Sequence, residues 1–195
     1  MYLYLNIASY YFDMYYFQIF SDLKILNPPE WFDEFVEQYY VPVIPHITFT
    51  QSRFVQKELA LDIIEKIQHE AFASVVFPLT VNANNLRYDE DENGVAVLLD
   101  FYHAELSVLQ KQILQLLPKE LELVYPKRKE YEDNFQPHIT IATRIPPSQQ
   151  KEIFGKFKLY SLSLVLKVEA PFAFLSNSLT TESVNDSKNH YALIV

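Results

Sequence analysis

The spacing of apolar residues along the chain predicts a mixed α and β protein. Apolar residues recur every three or four positions in residues 56–71 and 103–117, with charged residues between them, so each stretch is predicted to be an amphipathic helix. Two shorter helices are predicted at residues 30–40 and from residue 147 to about residue 156, because a pair of prolines marks the start of each.

The remaining apolar stretches are short and rich in β-branched and aromatic residues, which favours strands. The predicted strands are residues 14–20, 75–86, 95–101, 120–125, 160–169, 172–175 and 191–195. The second and third form a predicted hairpin, with the acidic run 89–94 as its tip. We interpret that run as a solvated turn, since it lacks the spaced ligands of an EF-hand calcium loop. Residues 126–134 and 176–189 are polar and are predicted to be loops.

One pattern occurs twice, and each copy is predicted to be a half-buried strand because polar and apolar residues alternate after a proline. The two copies are Pro45-His46-Ile47-Thr48-Phe49-Thr50 and Pro137-His138-Ile139-Thr140-Ile141-Ala142. Side chains two positions apart on a strand share a face, so His46 should lie beside Thr48, and His138 beside Thr140. The elements around the first copy are partly repeated around the second. We therefore predict a single bilobal α+β domain over residues 1–195, with two pseudo-symmetric antiparallel sheets, outer helices and a central cleft.

Composition narrows the classes of function. A chain of 195 residues that is 49% hydrophobic can bury a real core. The net charge of −9 argues against broad binding of duplex nucleic acid, but it allows one local anion site. The chain has no cysteine, which excludes disulfides, thiolate metal sites and a cysteine nucleophile.

The first twenty residues are apolar enough to raise the question of a membrane or export signal. Asn6, Ser9, Asp13 and Gln18 interrupt the run, and no Lys or Arg precedes it. We interpret it as one or two buried strands and expect a soluble cytoplasmic protein, a monomer without a membrane partner.

Two histidines facing one cleft can act as general base and general acid, because imidazole titrates near neutral pH. A bound phosphate would relieve the repulsion between two charged rings. The hydroxyls of Thr48 and Thr140 suit its non-bridging oxygens as hydrogen-bond donors. A zinc site made by His46 and His138 has no support from a His-Glu-x-x-His spacing or a thiolate.

These paired motifs resemble the 2H phosphoesterase superfamily, which includes 2′-5′ RNA ligase-like proteins and 2′,3′-cyclic nucleotide phosphodiesterases and is marked by two His-hydrophobic-Thr/Ser-hydrophobic motifs. The resemblance covers roughly residues 12–195. It implies a catalytic role for His46, Thr48, His138 and Thr140, and it makes Arg144, which follows the second motif, a candidate substrate-binding residue. It implies a bilobal α+β fold and metal-independent hydrolysis or ligation without a cofactor. The expected substrates are 2′,3′-cyclic phosphates or 2′-5′ linkages of RNA ends or nucleotides.

Other residues are candidates for contact with a substrate. The basic cluster Lys127-Arg128-Lys129 precedes the second motif, where Arg128 is a candidate for drawing in a polyanion. Tyr125, Tyr131 and Phe135 are candidates for stacking on a base, although core packing is the default for aromatic residues. His69, His103 and His190 are assigned no catalytic role.

Two alternatives to the enzyme stay open at this point. One is a binding module of the same fold that holds RNA ends or a nucleotide without turnover. The other is a structural protein whose motifs match by accident. A matched acid and base favours the enzyme, since binding alone requires only donors.

Overall fold

The computed structural model describes residues 14–30, 32–39, 45–72, 75–91, 94–160 and 163–194. The described residues form helices and two antiparallel sheets, which confirms the predicted fold class. The predicted N-terminal strands before Met14 lie outside the described residues.

The helices and strands alternate along the chain. The strands are β1 (Met14–Ile25), β2 (His46–Thr48), β3 (Arg53–Gln56), β4 (Leu79–Ala83), β5 (Asn85–Asp91), β6 (Gly94–Asp100), β7 (His138–Ile145), β8 (Leu164–Val168), β9 (Phe172–Ser176) and β10 (His190–Ala192). The helices are α1 (Phe32–Tyr39), α2 (Lys57–Glu70), α3 (Ala104–Leu116), α4 (Lys129–Asp133), α5 (Pro147–Tyr160) and α6 (Thr181–Asn185), with 3-10 turns at Pro126–Arg128 and Ser187–Asn189.

The larger sheet is built around β1. Phe20 in β1 lies between Thr48 of β2 and Phe172 of β9, so these two strands pair with opposite edges of β1. β3 and β8 also pair with β1, and β10 and β4 pair with β9 and β8. The first motif strand therefore belongs to a sheet of seven described strands.

The smaller sheet has the order β5-β6-β7 among the described residues, with the second motif strand at its end. The chain passes from the larger sheet to the smaller one at Asn84, because Ala83 pairs with Leu164 in β8 and Asn85 pairs with Asp100 in β6. Among the described residues the two sheets thus differ in size, and each has its motif strand at an edge.

Helices cover the apolar faces of both sheets. α2 packs against β1, β3 and β9 and against α3. α1 contacts β7, and α5 contacts β6. The contacts bury apolar side chains almost completely, including Phe17, Ile19, Ile67, Leu109 and Ile139. Burial of this kind is the main source of stability and holds the motif strands rigidly.

Five elements match their predicted positions within a few residues. They are α1, α2, α3, β6 and β9. Trp31 and the side chains of Phe35 and Tyr39, which defined the first helix, lie outside the described part of the chain. α5 extends four residues beyond its predicted end, so β8 begins at Leu164 and not at residue 160.

Several local predictions were wrong. Residues 75–86 are not one strand, because the chain changes sheets at Asn84 and the first strand of the hairpin is β5, which contains Asp89 and Asp91 of the acidic run. The predicted strand at 120–125 is only an isolated pairing of Leu123 with Arg53, and β3 was not predicted.

Both predicted polar loops contain short helices. α4 lies within residues 126–134, and the Lys129 ammonium lies 2.6 Å from the Asp133 carboxylate one turn later. α6 lies within residues 176–189, and the Thr180 hydroxyl accepts a hydrogen bond from the Ser183 amide at its start.

Candidate active site

The first motif strand presents its polar side chains on one face, as predicted. His46 and Thr48 are half-buried, whereas Ile47 between them is 1% exposed. In the pairing of β2 with β1, His46 lies directly opposite Asp22 and Thr48 opposite Phe20. Opposite residues of an antiparallel pair point to the same face, so Asp22 and Phe20 share the face of the motif side chains.

A small cavity lies beside the His46 ring on this face. Its volume is about 10 Å³, which is close to the least space that holds a water molecule. The cavity is lined by Phe20, Asp22, His46, Phe172, Val184, Asn185 and His190. The Phe20 ring meets the His46 ring edge-on, with 4.8 Å between centroids, and this contact restricts the imidazole.

A second imidazole, that of His190, reaches the same cavity. It stacks on Phe172 at 4.1 Å between centroids, and its Nε2 lies 2.8 Å from the Val184 carbonyl oxygen. Because a carbonyl only accepts hydrogen bonds, Nε2 of His190 carries a proton in this contact. Burial raises the pKa of the Asp22 carboxyl above its ordinary value, whereas the charges of His190 and His46 act to lower it.

The second motif strand repeats this alternation. His138 and Thr140 are half-buried, and Ile139 and Ile141 are each 1% exposed. In the pairing of β7 with β6, His138 lies directly opposite Asp100. Each motif histidine therefore has an aspartate as its cross-strand neighbour.

Asp100 is engaged differently from Asp22. Its side chain is 2% exposed, and its carboxylate accepts three hydrogen bonds from Nε and Nη2 of Arg87, at 3.0 to 3.2 Å. Nε2 of Gln136 donates a fourth at 2.9 Å. A buried carboxylate needs such partners, because desolvation of an unpaired charge is costly.

The surroundings of His138 favour the neutral ring. Burial lowers the pKa of His138 below its ordinary value, and the charge of Arg87 lowers it further, while the hydrogen bond to Gln136 and the charges of Asp100 and Asp89 oppose this. Nδ1 of His138 lies 2.9 Å from the Gln136 carbonyl oxygen and must donate to it. In the neutral ring the proton acceptor is therefore Nε2.

The two motif strands are neighbours, although they belong to different sheets. Phe49, just after the first motif, stacks on Phe135, just before the second, with 5.8 Å between ring centroids. Within the described ranges, the cavity beside His46 is lined by His190 and not by His138.

A buried ion pair also joins the two motif regions. The Glu132 carboxylate accepts hydrogen bonds from Nη1 and Nη2 of Arg53 at 2.7 and 2.6 Å and from the backbone amide of Gln51 at 2.5 Å. The Glu132 carbonyl oxygen accepts another from Gln110 at 3.1 Å. Gln51 follows the first motif and Glu132 precedes the second, so this pair restrains the separation of the motif strands.

The other candidate substrate-binding residues differ in their surroundings. Arg128 is exposed on the turn before α4, with its guanidinium 4.8 Å from the centre of the Tyr125 ring. The side chain of Arg144 lies outside the described part of the chain. Tyr131 is 39% exposed and donates a hydrogen bond to Asp89 at 3.0 Å. Phe135 packs on Phe49, so core packing accounts for it.

Sequence reasoning missed the residues that surround the motif histidines. Asp22 continues the alternation of β1 beyond its predicted end, and Asp100 is a single acidic residue at the end of an apolar strand. The sequence pattern therefore indicated both residues only weakly. The sequence pattern did not indicate Arg87 or His190, because their positions relative to the motif histidines depend on pairings between distant strands. Of the remaining histidines, His69 is exposed on α2.

The described residues include no group of three or more His, Cys, Asp or Glu side chains placed to hold a metal ion. They also include no helix of the length and apolar character needed to cross a bilayer.

The fold and the site define an α+β protein of two antiparallel sheets, with a His-x-Thr motif on each of two neighbouring strands. The chain belongs to the 2′-5′ RNA ligase superfamily, whose family model matches residues 25–174. Membership supports a phosphoesterase type of activity. No curated protein matches the chain in sequence.

A solved structure, that of Usb1 from Kluyveromyces marxianus, matches with a TM-score of 0.49 and 7% sequence identity. The match covers 87% of this chain and 97% of that chain.

Proposed function

We propose that the protein is a metal-independent phosphodiesterase, or RNA end ligase, acting on 2′,3′-cyclic phosphates or 2′-5′ linkages of RNA ends or nucleotides. The proposal depends on one observation above all, which is that two neighbouring strands each present a histidine and a threonine on one face. Membership in the 2′-5′ RNA ligase superfamily points to the same class of substrate.

His138 is the general base in this proposal. Its Nδ1 proton is held by the Gln136 carbonyl, and its lowered pKa favours the neutral ring, so Nε2 has a lone pair for a proton at neutral pH. Nε2 takes the proton from the attacking water or hydroxyl as the new P–O bond forms.

His46 is the general acid. It faces a carboxylate, that of Asp22, and an opposite charge favours the protonated imidazole. His46 gives its proton to the leaving ribose oxygen as the old P–O bond breaks. For the next turnover, the proton taken up by His138 is lost to solvent and His46 is reprotonated.

Thr48 and Thr140 are the donors to the non-bridging phosphate oxygens. Each is half-buried beside its histidine, and among the described residues no hydrogen bond occupies either hydroxyl. Donors held in place before the reaction stabilise the charge that develops on the phosphoryl oxygens. Arg144 and Arg128 are proposed to contact the substrate farther from the reacting bond.

The test is turnover of 2′,3′-cyclic nucleotides and 2′-5′-linked dinucleotides in the presence of EDTA. We expect product from the unmodified protein and a loss of kcat of about 10²–10⁴-fold in each of His46→Ala and His138→Ala. His69→Ala, on an exposed helix face, is the matched control and should keep full activity.

Saturable binding without product would instead favour the binding module, and neither binding nor product would favour the structural protein. Full activity in both alanine variants of the motif would contradict the assignment of the site.

A further inference from the structure

Asp22 is placed to act on His46 through the geometry of the larger sheet. The register of β1 and β2 sets Asp22 directly opposite His46, so both side chains leave the same face of neighbouring strands. Both also line the cavity of about 10 Å³.

His190 approaches Asp22 from another strand. β9 lies between β10 and β1, and His190 reaches the cavity across it, stacked on Phe172. Its Nε2 is committed to the Val184 carbonyl, which fixes the ring. The Asp22 carboxylate therefore interacts with two imidazoles, one on a motif strand and one outside the motifs.

We propose that Asp22 is a positioning residue that keeps His46 oriented and protonated, and that His190 restrains the Asp22 carboxylate from a second side. The catalytic meaning of this arrangement rests on the proposed function, in which His46 donates the proton to the leaving oxygen. The physical coupling of the three side chains does not depend on it.

Other charged groups also lie near Asp22. Besides His46 and His190, the Asp22 carboxyl interacts with Glu169 and Lys24. Glu169 is paired with Lys24 at 3.1 Å and with Lys167 at 2.9 Å, so its own charge is largely balanced. His190 and His46 are therefore the charges that act most strongly on the Asp22 carboxyl.

The direct test is an NMR pH titration of the five histidines, assigned by single substitutions to Gln. In Asp22→Asn, which keeps the shape of the side chain, the pKa of His46 is expected to fall, because an opposite charge has been removed. Glu169→Gln removes a nearby charge of the same sign and is the matched control, with a much smaller shift expected. An unchanged His46 titration in Asp22→Asn would overturn the proposal.

The role of His190 needs a double-mutant cycle. His190→Gln can change the His46 titration directly and through Asp22, and only the part that passes through Asp22 disappears when Asp22 is already Asn. We expect the effect of His190→Gln on His46 to differ between the two backgrounds. An equal change in both backgrounds would overturn the restraint by His190.

The unmodified protein provides a second readout that does not depend on any variant folding. The carboxyl carbon resonance of Asp22 should respond to the titrations of His46 and His190. A carboxyl carbon that responds to neither ring would contradict the coupling.

Kinetics then separates this proposal from the proposed function. If both hold, the alkaline limb of the pH profile of kcat/KM moves to lower pH in Asp22→Asn by the same amount as the His46 titration. A His46 shift in a protein without turnover would refute the phosphodiesterase and retain the coupling. Turnover with an unmoved alkaline limb would refute the positioning role and retain the phosphodiesterase.

Discussion

The two motif strands have the same sequence pattern, and an aspartate lies opposite the histidine in each, yet their surroundings differ. Asp22 faces His46 and a second imidazole, whereas Asp100, opposite His138, is held by the Arg87 guanidinium. The carboxylate near His46 can therefore favour an imidazolium. Beside His138, burial lowers the pKa of the ring, and the positive charge of Arg87 opposes the negative charge of Asp100.

In the proposed mechanism, this difference gives the two copies of the motif opposite functions. An acid and a base require rings in different protonation states at the same pH, which the motifs alone do not create. The distinction comes from residues on β1, β5, β6 and β10, outside both motifs.

The largest expected effect comes from breaking the ion pair that holds the two motif regions together. Glu132→Ala leaves Arg53 buried without its partner, so the free energy of unfolding should fall by about 3–5 kcal/mol, measured by urea denaturation. Lys129→Ala, which removes an exposed ion pair from the same helix, is the control and should cost less than about 1 kcal/mol. Equal losses in the two variants would show that Glu132 does not join the regions.

Removal of the hydroxyl from Thr48 or from Thr140 tests the contribution of each motif to activity. Thr48→Val and Thr140→Val should each lower kcat by about 10²-fold, because a donor to the phosphoryl oxygens is lost. Thr48→Ser and Thr140→Ser retain the donor and should stay within a few-fold of the unmodified protein. A Val variant as active as its Ser counterpart would exclude that hydroxyl from the site.

The Arg87 guanidinium is the feature that makes the surroundings of His138 unlike those of His46. The pKa of His138 is lowered and the base acts when neutral, so kcat/KM should rise with pH through a midpoint below about 6.5. In Arg87→Gln a cation is lost and Asp100 is unpaired, and both changes raise the pKa of His138. The acidic limb should therefore move to higher pH, whereas Arg87→Lys should keep it in place. A limb that moves to lower pH in Arg87→Gln would contradict the role of Arg87.

The smallest effect is expected from changes in the basic cluster Lys127-Arg128-Lys129. Replacing Lys127, Arg128 and Lys129 by Gln should leave kcat for a cyclic mononucleotide unchanged, because these side chains are exposed and lie outside the cavity. The dependence of RNA oligonucleotide affinity on salt should become shallower, since fewer phosphate contacts release counterions. An unchanged salt dependence would remove Arg128 from the substrate-binding residues.

Local pattern predicted the motif strands and the long helices well. The alternation around His46 and His138 correctly assigned exposed and buried faces, because burial on a strand follows a period of two. α2 and α3 are long enough for their apolar stripes to be unambiguous.

The sequence could not show what depends on partners far along the chain. Residues 75–86 read as one strand because a period of two does not tell which sheet a strand joins. α4 depends partly on burial of Glu132 against Arg53, a pairing across 79 residues. The positions of Arg87 and His190 have the same long-range origin, so the motif histidines were predicted and the contrast between them was not.

Leaving-group rescue tests the division of roles between His46 and His138 most directly. Two phosphodiesters that differ only in the leaving group, a nucleoside or 4-nitrophenol, would be compared with His46→Ala and His138→Ala. A good leaving group needs no general acid, so His46→Ala should regain most of its activity on the nitrophenyl ester while His138→Ala stays inactive on both. Rescue of His138→Ala, or rescue of neither variant, would contradict the assignment of His46 as acid and His138 as base.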